Sequence, residues 1–212
     1  MVRPKGKAGY HHGNLRHALI EASLPILRNG GPEALTLRAV ARAVGVSQTA
    51  PYRHFADRTA LVMAIADDGF HRLRERLIEA SRDPDRTIGT PQQTARGGLQ
   101  AIALAYVRFG LEHPDEYRVM FGAEPSSSPG PEGSARHQVF ALLRDGIAAL
   151  QQHRLVREGD PHSMALTAWS LVHGLVMLVL DGQLSGKTAP SAEKLTLTAT
   201  ELLMFGMAAH RQ

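Results

Sequence analysis

The twenty residues from Thr36 to Phe55, TLRAVARAVGVSQTAPYRHF, constrain the fold more than any other stretch of this chain. Leu37, Val40, Ala41 and Val44 recur at helical spacing, which marks one buried face of a short helix. Gly45 follows where a tight turn needs a left-handed backbone, and Val46 returns the chain to the core. Ser47 then offers a side-chain oxygen to the first free amides of a second helix, expected over residues 48–55. That second helix carries Gln48, Thr49, Tyr52, Arg53 and His54, all able to hydrogen-bond, and is too short to be stable without a supporting fold. Such a pair reads as a helix-turn-helix whose second member is held out towards something polar; an αα-hairpin inside an unrelated helical protein is the alternative.

A helix-turn-helix sets its second helix in the major groove of DNA and lets the first cross the backbone. In that arrangement Arg38, Gln48 and Thr49 are candidates for reading bases, and Tyr52, His54 and Arg58 for positioning on phosphates, with Arg53 in the same set. The charge distribution agrees. Residues 1–60 hold nine Lys or Arg against three acids, whereas the rest of the chain has fifteen bases and seventeen acids, so the whole net charge of +4 resides in the segment bearing the motif. Lys5 and Lys7 lie in a basic N-terminal stretch that reads as a flexible arm touching the DNA backbone or minor groove; a solubilising tail is the alternative.

Residues Thr36, Ala41, Gly45, Val46, Ser47, Tyr52, His54 and Phe55, followed by Asp57, Ala60 and Leu61, resemble the DNA-binding domain of the tetracycline-repressor-like (TetR) family. Two positions depart from its pattern. Arg58 replaces the usual lysine and keeps the positive charge. Pro51 falls inside the recognition helix and removes an early backbone hydrogen bond; so near the start it should cost less than the ~3 kcal/mol of a mid-helix proline. Further on, Trp169, His173 and Gly174 match the Trp-x-x-x-His-Gly signature of one C-terminal domain type of that family, so the resemblance spans essentially the whole chain. It implies a homodimeric transcriptional regulator, a repressor released from its operator by a small-molecule effector.

The remaining pattern is all-α, about nine helices, with no alternating strand of useful length. Asn14 caps a first helix that Pro25 should bend or shorten and Gly30 and Gly31 should stop. Asp57 opens a fourth helix to about Ser81; others are expected over residues 92–113, around Tyr117 to Phe121, and over 135–153, 161–184 and 191–210. The domains expected are residues 1–57, a helix-turn-helix domain with a basic arm, and residues 58–212, a helical regulatory and dimerisation domain.

The helix bearing Trp169 to Leu180 is apolar on more than one face and must be covered on both sides. Packing two helices from each subunit as a four-helix bundle would cover it, with Leu171, Leu175, Leu178, Leu202 and Phe205 as the interface; complete burial within a monomer is the alternative. Phe70, Tyr106, Phe109, Tyr117, Met120, Phe121, Phe140, Trp169 and His173 lie on helices expected to converge in the second domain. They suit a small-molecule pocket and suit a core equally well; the resemblance alone favours the pocket.

Several classes are set aside. The chain has no cysteine, which excludes disulfides, thiolate catalysis and cysteine-ligated zinc. His11, His12 and His17 have no carboxylate close by in sequence, so neither metal nor cofactor is expected. Ser163 and His173 would stand roughly 15 Å apart along one helix at ~1.5 Å per residue, too far for a catalytic pair. Gly186-Lys187-Thr188 lacks the glycine and the strand that a phosphate loop requires. No signal-peptide pattern follows the charged N-terminus, and the apolar run Leu171–Leu180 is too short for a bilayer, so a cytoplasmic protein is expected. A ligand-independent regulator, an activator, and a helical protein-interaction module without DNA binding remain as alternatives.

Overall fold

A computed structural model of the chain describes residues 15–82, 90–122, 132–184 and 191–207. Among these residues it contains eight α-helices, one four-residue 3-10 turn and no strand, as the all-α reading expects. The chain divides into two compact units, Met1–Ile65 and Ala66–Gln212.

In the first unit, α1 (Leu15–Ala34) buries Leu19, Ile20, Ser23 and Leu27, and the Ser23 hydroxyl donates back to the Leu19 carbonyl at 2.8 Å. The helix runs through Pro25, contrary to the expected early end. Pro25 lies on the exposed side, where the carbonyl left without a donor can turn to solvent. The interruption comes at Gly31, whose φ of 67° is outside the helical range. Next comes α2 (Leu37–Val44), capped at both ends. The Thr36 hydroxyl accepts from the Ala39 amide at 3.1 Å. Gly45 is left-handed (φ 79°, ψ 28°), its N–H reaches the Ala41 and Arg42 carbonyls, and the Val46 N–H returns to Ala41 at 3.0 Å. This is the glycine-dependent helix stop that the sequence requires.

The second helix of the motif is not the expected α-helix. Only Ala50–Arg53 is regular, and it is 3-10. Ser47 places its hydroxyl 3.2 Å from that of Thr49 instead of capping a helix. Pro51 has no N–H to donate, and it is itself buried, so the chain tightens around it: the Ala50 amide bonds to Ser47, and the His54 amide to Pro51. Phe55, also buried, anchors the end of the turn, with the Arg16 guanidinium 5.6 Å above its ring.

Helix α3 (Arg58–Ser81) starts on Asp57, whose carboxylate accepts from the Ala60 amide at 2.8 Å. The boundary between the two units falls within it. The second unit continues with α4 (Pro91–Glu112), α5 (Pro114–Gly122), α6 (Ala135–Gln152), α7 (Pro161–Leu180) and α8 (Ala192–Met207). Thr90 and Gln93 form a reciprocal capping box on α4, and Ser134 and Asp160 accept from the first free amides of α6 and α7. Helix α7 stops at Leu180, four residues before the expected end, because Asp181 closes it and Gly182 takes a φ of 71°. By length and composition α7 would also suit a membrane span; here it packs against α4, α6 and α8.

Candidate functional site

The first unit presents a polar row. Arg38, on the first turn of α2, and Gln48, Thr49, Tyr52, Arg53 and His54, in and around the 3-10 turn, are all exposed, with Tyr52 at 51%. Buried Pro51 and Phe55 pin the turn from beneath while these side chains point away from the core. Arg58 has a different local role: its Nε donates to the Leu35 carbonyl at 2.9 Å and its Nη2 to the Pro32 carbonyl at 2.6 Å. It thereby ties the start of α3 to the end of α1. Lys5 and Lys7 lie outside the described residues.

The second unit holds a cavity of about 80 Å³. Phe70, Tyr106, Phe121, Phe140 and Trp169 line it, as expected for a pocket, together with aliphatic side chains of α4, α6 and α8. The aromatic walls interlock edge to face: Phe70 and Phe121 centroids are 5.2 Å apart at 80°, and Phe140 and Trp169 are 6.4 Å apart at 76°. Phe109, Tyr117, Met120 and His173 do not line it. Phe109, Tyr117 and Met120 are buried core.

Behind the wall, Tyr106, Tyr117, His173 and Trp169 form one hydrogen-bonded cluster. The Trp169 N–H donates to the Tyr106 hydroxyl at 3.0 Å, the Tyr117 hydroxyl donates to Tyr106 at 2.8 Å, and His173 Nδ1 stands 2.6 Å from Tyr117 and 3.2 Å from Tyr106. Burial drives both phenols well above their ordinary pKa of 10, so both stay protonated. Burial likewise holds His173 below its usual 6.5, which favours a neutral imidazole; with the Tyr117 proton given to Tyr106, the Tyr106 hydroxyl is the one that can donate to Nδ1. Arg72 of α3 and buried Glu116 of α5 make an ion pair in the same unit, with Asp68 3.1 Å from the Arg72 Nε. Among the described residues no three His, Asp or Glu side chains gather as a metal site. The Ser163 hydroxyl donates to Asp160 at 2.6 Å, as part of the α7 cap.

On the dimer candidates, Leu171, Leu178 and Leu202 are exposed and Leu175 is half-buried against the core of the unit. The side chain of Phe205 lies outside the described residues.

Two family models match this chain. Residues 19–65 match the model for bacterial regulatory proteins of the tetR family, and residues 99–202 match that for the tetracyclin repressor-like C-terminal domain. The chain belongs to the TetR family. Its members are DNA-binding transcriptional regulators. The tetracycline repressor protein class C of Escherichia coli is 32% identical over 136 residues, a match covering 63% of this chain and 56% of that protein, so this TetR chain aligns with little more than half of that relative. The nucleoid occlusion factor SlmA of Enterobacter sp. is 24% identical over 81% of this chain and 82% of its own length. Among solved structures, a Rhodococcus protein of unknown function shares 32% identity with a TM-score of 0.79, covering 95% of this chain and all of that one. The TetR-family regulator PfmR of Thermus thermophilus shares the fold, at a TM-score of 0.62 and 17% identity over 92% of this chain and 96% of its own.

Within this TetR chain the sequence reading missed two features of the site. Arg136, on the first turn of α6, reaches the cavity: its Nη2 donates to the Met120 carbonyl at 2.6 Å, and its guanidinium lies 5.0 Å over Phe70 and 5.9 Å from Phe121. Its spacing of four from Phe140 puts both on one face of α6, a signal that was present in the sequence. Leu197, exposed on α8, is the second omission.

Proposed function

We propose that this TetR-family protein is a homodimeric repressor which grips a roughly palindromic operator through residues 1–57 and is released by a small molecule bound within residues 58–212. The exposed row Arg38, Gln48, Thr49, Tyr52, Arg53 and His54, on the segment that carries the basic excess, is the observation that carries this reading. Arg38, Gln48 and Thr49 face base edges, while Tyr52 and His54 donate to phosphates, Arg53 adds charge, and Lys5 and Lys7 follow the backbone or minor groove. Arg58 positions the head and touches phosphate only through N–H groups not committed to Leu35 and Pro32.

Exposed Leu171 and Leu178 on α7, with Gly174 between them, and Leu197 and Leu202 on α8 are the surface on which a second copy packs. Self-association sets the two heads about one helical turn of DNA apart, ~34–36 Å. The effector occupies the aromatic cavity and tilts α3. To drive occupancy of the binding form from 99:1 to 1:99 it must prefer the released form by about 5.5 kcal/mol. The protein acts in the cytoplasm, on DNA, and performs no covalent chemistry.

The test is titration of the full chain with duplexes selected from sheared genomic DNA of its source, at 50 and 200 mM salt, beside sedimentation velocity. With six to ten phosphate contacts the affinity should fall by roughly 10³–10⁵-fold between those salts. A monomer, or a protein indifferent to every duplex, would overturn the reading.

A further inference from the structure

We infer that the cavity of the second unit takes the unbranched aliphatic end of a ligand, about three carbons deep, with every polar group of that ligand left outside. The inference deepens the reading of this cavity as the effector site and rests on it.

The chemistry of the wall, the volume and the shape lead to that class. Apart from Tyr106, Arg136, Trp169 and Thr200, every lining side chain is aliphatic, phenylalanine or methionine. Those four already have partners: the Trp169 N–H donates to the Tyr106 hydroxyl, the Thr200 hydroxyl to the Thr196 carbonyl and Arg136 Nη2 to the Met120 carbonyl. A hydroxyl, amide or charge carried inward would exchange its water for hydrocarbon, so the segment that enters is apolar.

The volume sets the length. An engineered core cavity of ~150 Å³ holds benzene, or about 25 Å³ per carbon. On that scale a cavity of about 80 Å³ holds about three carbons and no ring. Along α6 the lining runs from Arg136 to Ile147, about 16 Å of helix at ~1.5 Å per residue. So small a volume drawn out over that length is a slot, which suits a straight chain and not a branched one. Three buried carbons supply about 60-fold in affinity, at about fourfold each. A complete switch of the DNA-binding form requires a preference of about 10⁴-fold, so an effector with such an end makes up the difference through parts that lie beyond the slot.

Trp169 is the single tryptophan of the chain and stands in the cavity wall, so its fluorescence reports occupancy directly. The full-length protein is titrated with straight-chain primary alcohols from ethanol to n-hexanol, beside tert-butanol and cyclohexanol, with and without operator duplex. Affinity should rise about fourfold per carbon as far as n-propanol, reach a Kd on the order of 10 mM, and then level off to within about twofold through n-hexanol. The branched and cyclic alcohols, which must force the walls apart, should bind about tenfold more weakly than n-propanol. Val139→Ala removes two carbons from the wall and should move the levelling point out by about two carbons, whereas Ala103→Val adds two and should weaken n-propanol by about tenfold. If Ala103→Val proves unfolded by circular dichroism, the wild-type series and Val139→Ala still decide. Affinity that climbs through n-hexanol without levelling, cyclohexanol that binds as tightly as n-propanol, a levelling point unmoved by Val139→Ala, or no response up to about 100 mM overturns the inference. The effector reading has its own readout. A series that levels off at n-propanol yet binds equally with and without operator keeps the class while the effector reading falls. Cyclohexanol that binds, and binds more weakly once operator is present, keeps the effector reading while the unbranched class falls.

Discussion

Replacing Gly110 with alanine sets two known effects against each other, and the structure decides which wins. Gly110 lies in α4, where alanine would gain up to about 1 kcal/mol in helix propensity. A Cβ placed there would stand 2.6 Å from Val176 Cγ1 of α7 and 3.1 Å from two ring carbons of Tyr117, against a normal carbon–carbon separation of about 3.5–4.0 Å. Neither neighbour can retreat easily, because Val176 and Tyr117 are both 0% exposed. Overpacking costs about 1–3 kcal/mol, and an approach as short as 2.6 Å belongs in the upper part of that range, about 2–3 kcal/mol, so the net effect is a loss of roughly 1–2 kcal/mol. At about 2–4 °C per kcal/mol for a chain of this size, thermal unfolding should move down by about 2–8 °C. Gly146→Ala on α6 is the control: the added Cβ meets nothing within 4 Å, so stability should rise by about 0.5–1 kcal/mol. Combining Gly110→Ala with Val176→Ala should lose less than the sum of the single losses, because the valine methyl that collides is gone. The assay is circular-dichroism melting at fixed protein concentration. A Gly110→Ala variant as stable as wild type, or stabilised like Gly146→Ala, would refute the close approach of α4 and α7.

Three further outcomes are expected. Tyr52→Phe should weaken binding to all duplexes alike, by about fivefold for one lost phosphate hydrogen bond, whereas Thr49→Ala should blur discrimination at one base position by about 1–3 kcal/mol, and Gln48→Ala less; anisotropy titrations against single-substitution operator variants separate these patterns. Leu178→Glu, at a side chain 46% exposed on α7, should shift the protein towards monomer in sedimentation velocity and weaken operator binding, and an unchanged dimer would remove this face as the interface. Acidification should destabilise the second unit: His173 has a folded pKa below its unfolded value of about 6.5, so the unfolded chain binds the extra proton, and stability that is full above pH 6.5 falls as the pH drops towards the folded pKa. Unfolding in urea at pH 7.5 and 5.5 reads this, and His173→Gln should flatten that part of the dependence.

What could be read from the sequence was local. Gly45 announced a left-handed helix stop, Asp57 a helix start and Asp160 with Pro161 another, because each of those residues imposes its conformation or its cap through atoms within a few positions of itself. Tertiary effects were out of reach. The commitment of Arg58 to carbonyls of Leu35 and Pro32, more than twenty residues away, depends on how α1 ends. The pocket candidates separated into cavity wall and solid core only once α4, α5 and α7 were packed, since Phe121 and Tyr117 carry the same apolar signal. Arg136 was passed over because an arginine on the first turn of a helix ordinarily faces water, and only the position of Phe70 makes it part of a cavity.

Pro51 changes which side chains can act together at the DNA-facing end. An α-helix over residues 48–55 would set Gln48 and Tyr52, four apart, side by side, and would place Thr49 a hundred degrees round from Gln48. The observed turn is 3-10, with three residues per turn, so residues three apart eclipse. Thr49 then shares an edge with Tyr52, and Ala50 with Arg53. The Thr49 backbone is helical (φ −90°, ψ −17°), so it already belongs to this geometry, while Gln48 precedes it. On the proposed reading, a hydroxyl that reads a base then stands beside a phenol that donates to phosphate: the tyrosine would fix how deep the turn sits, and the threonine would reach the edge exposed at that depth. The short turn also lets burial of Pro51 and Phe55, two residues four apart on its inner side, replace the backbone hydrogen bonds a longer helix would have supplied.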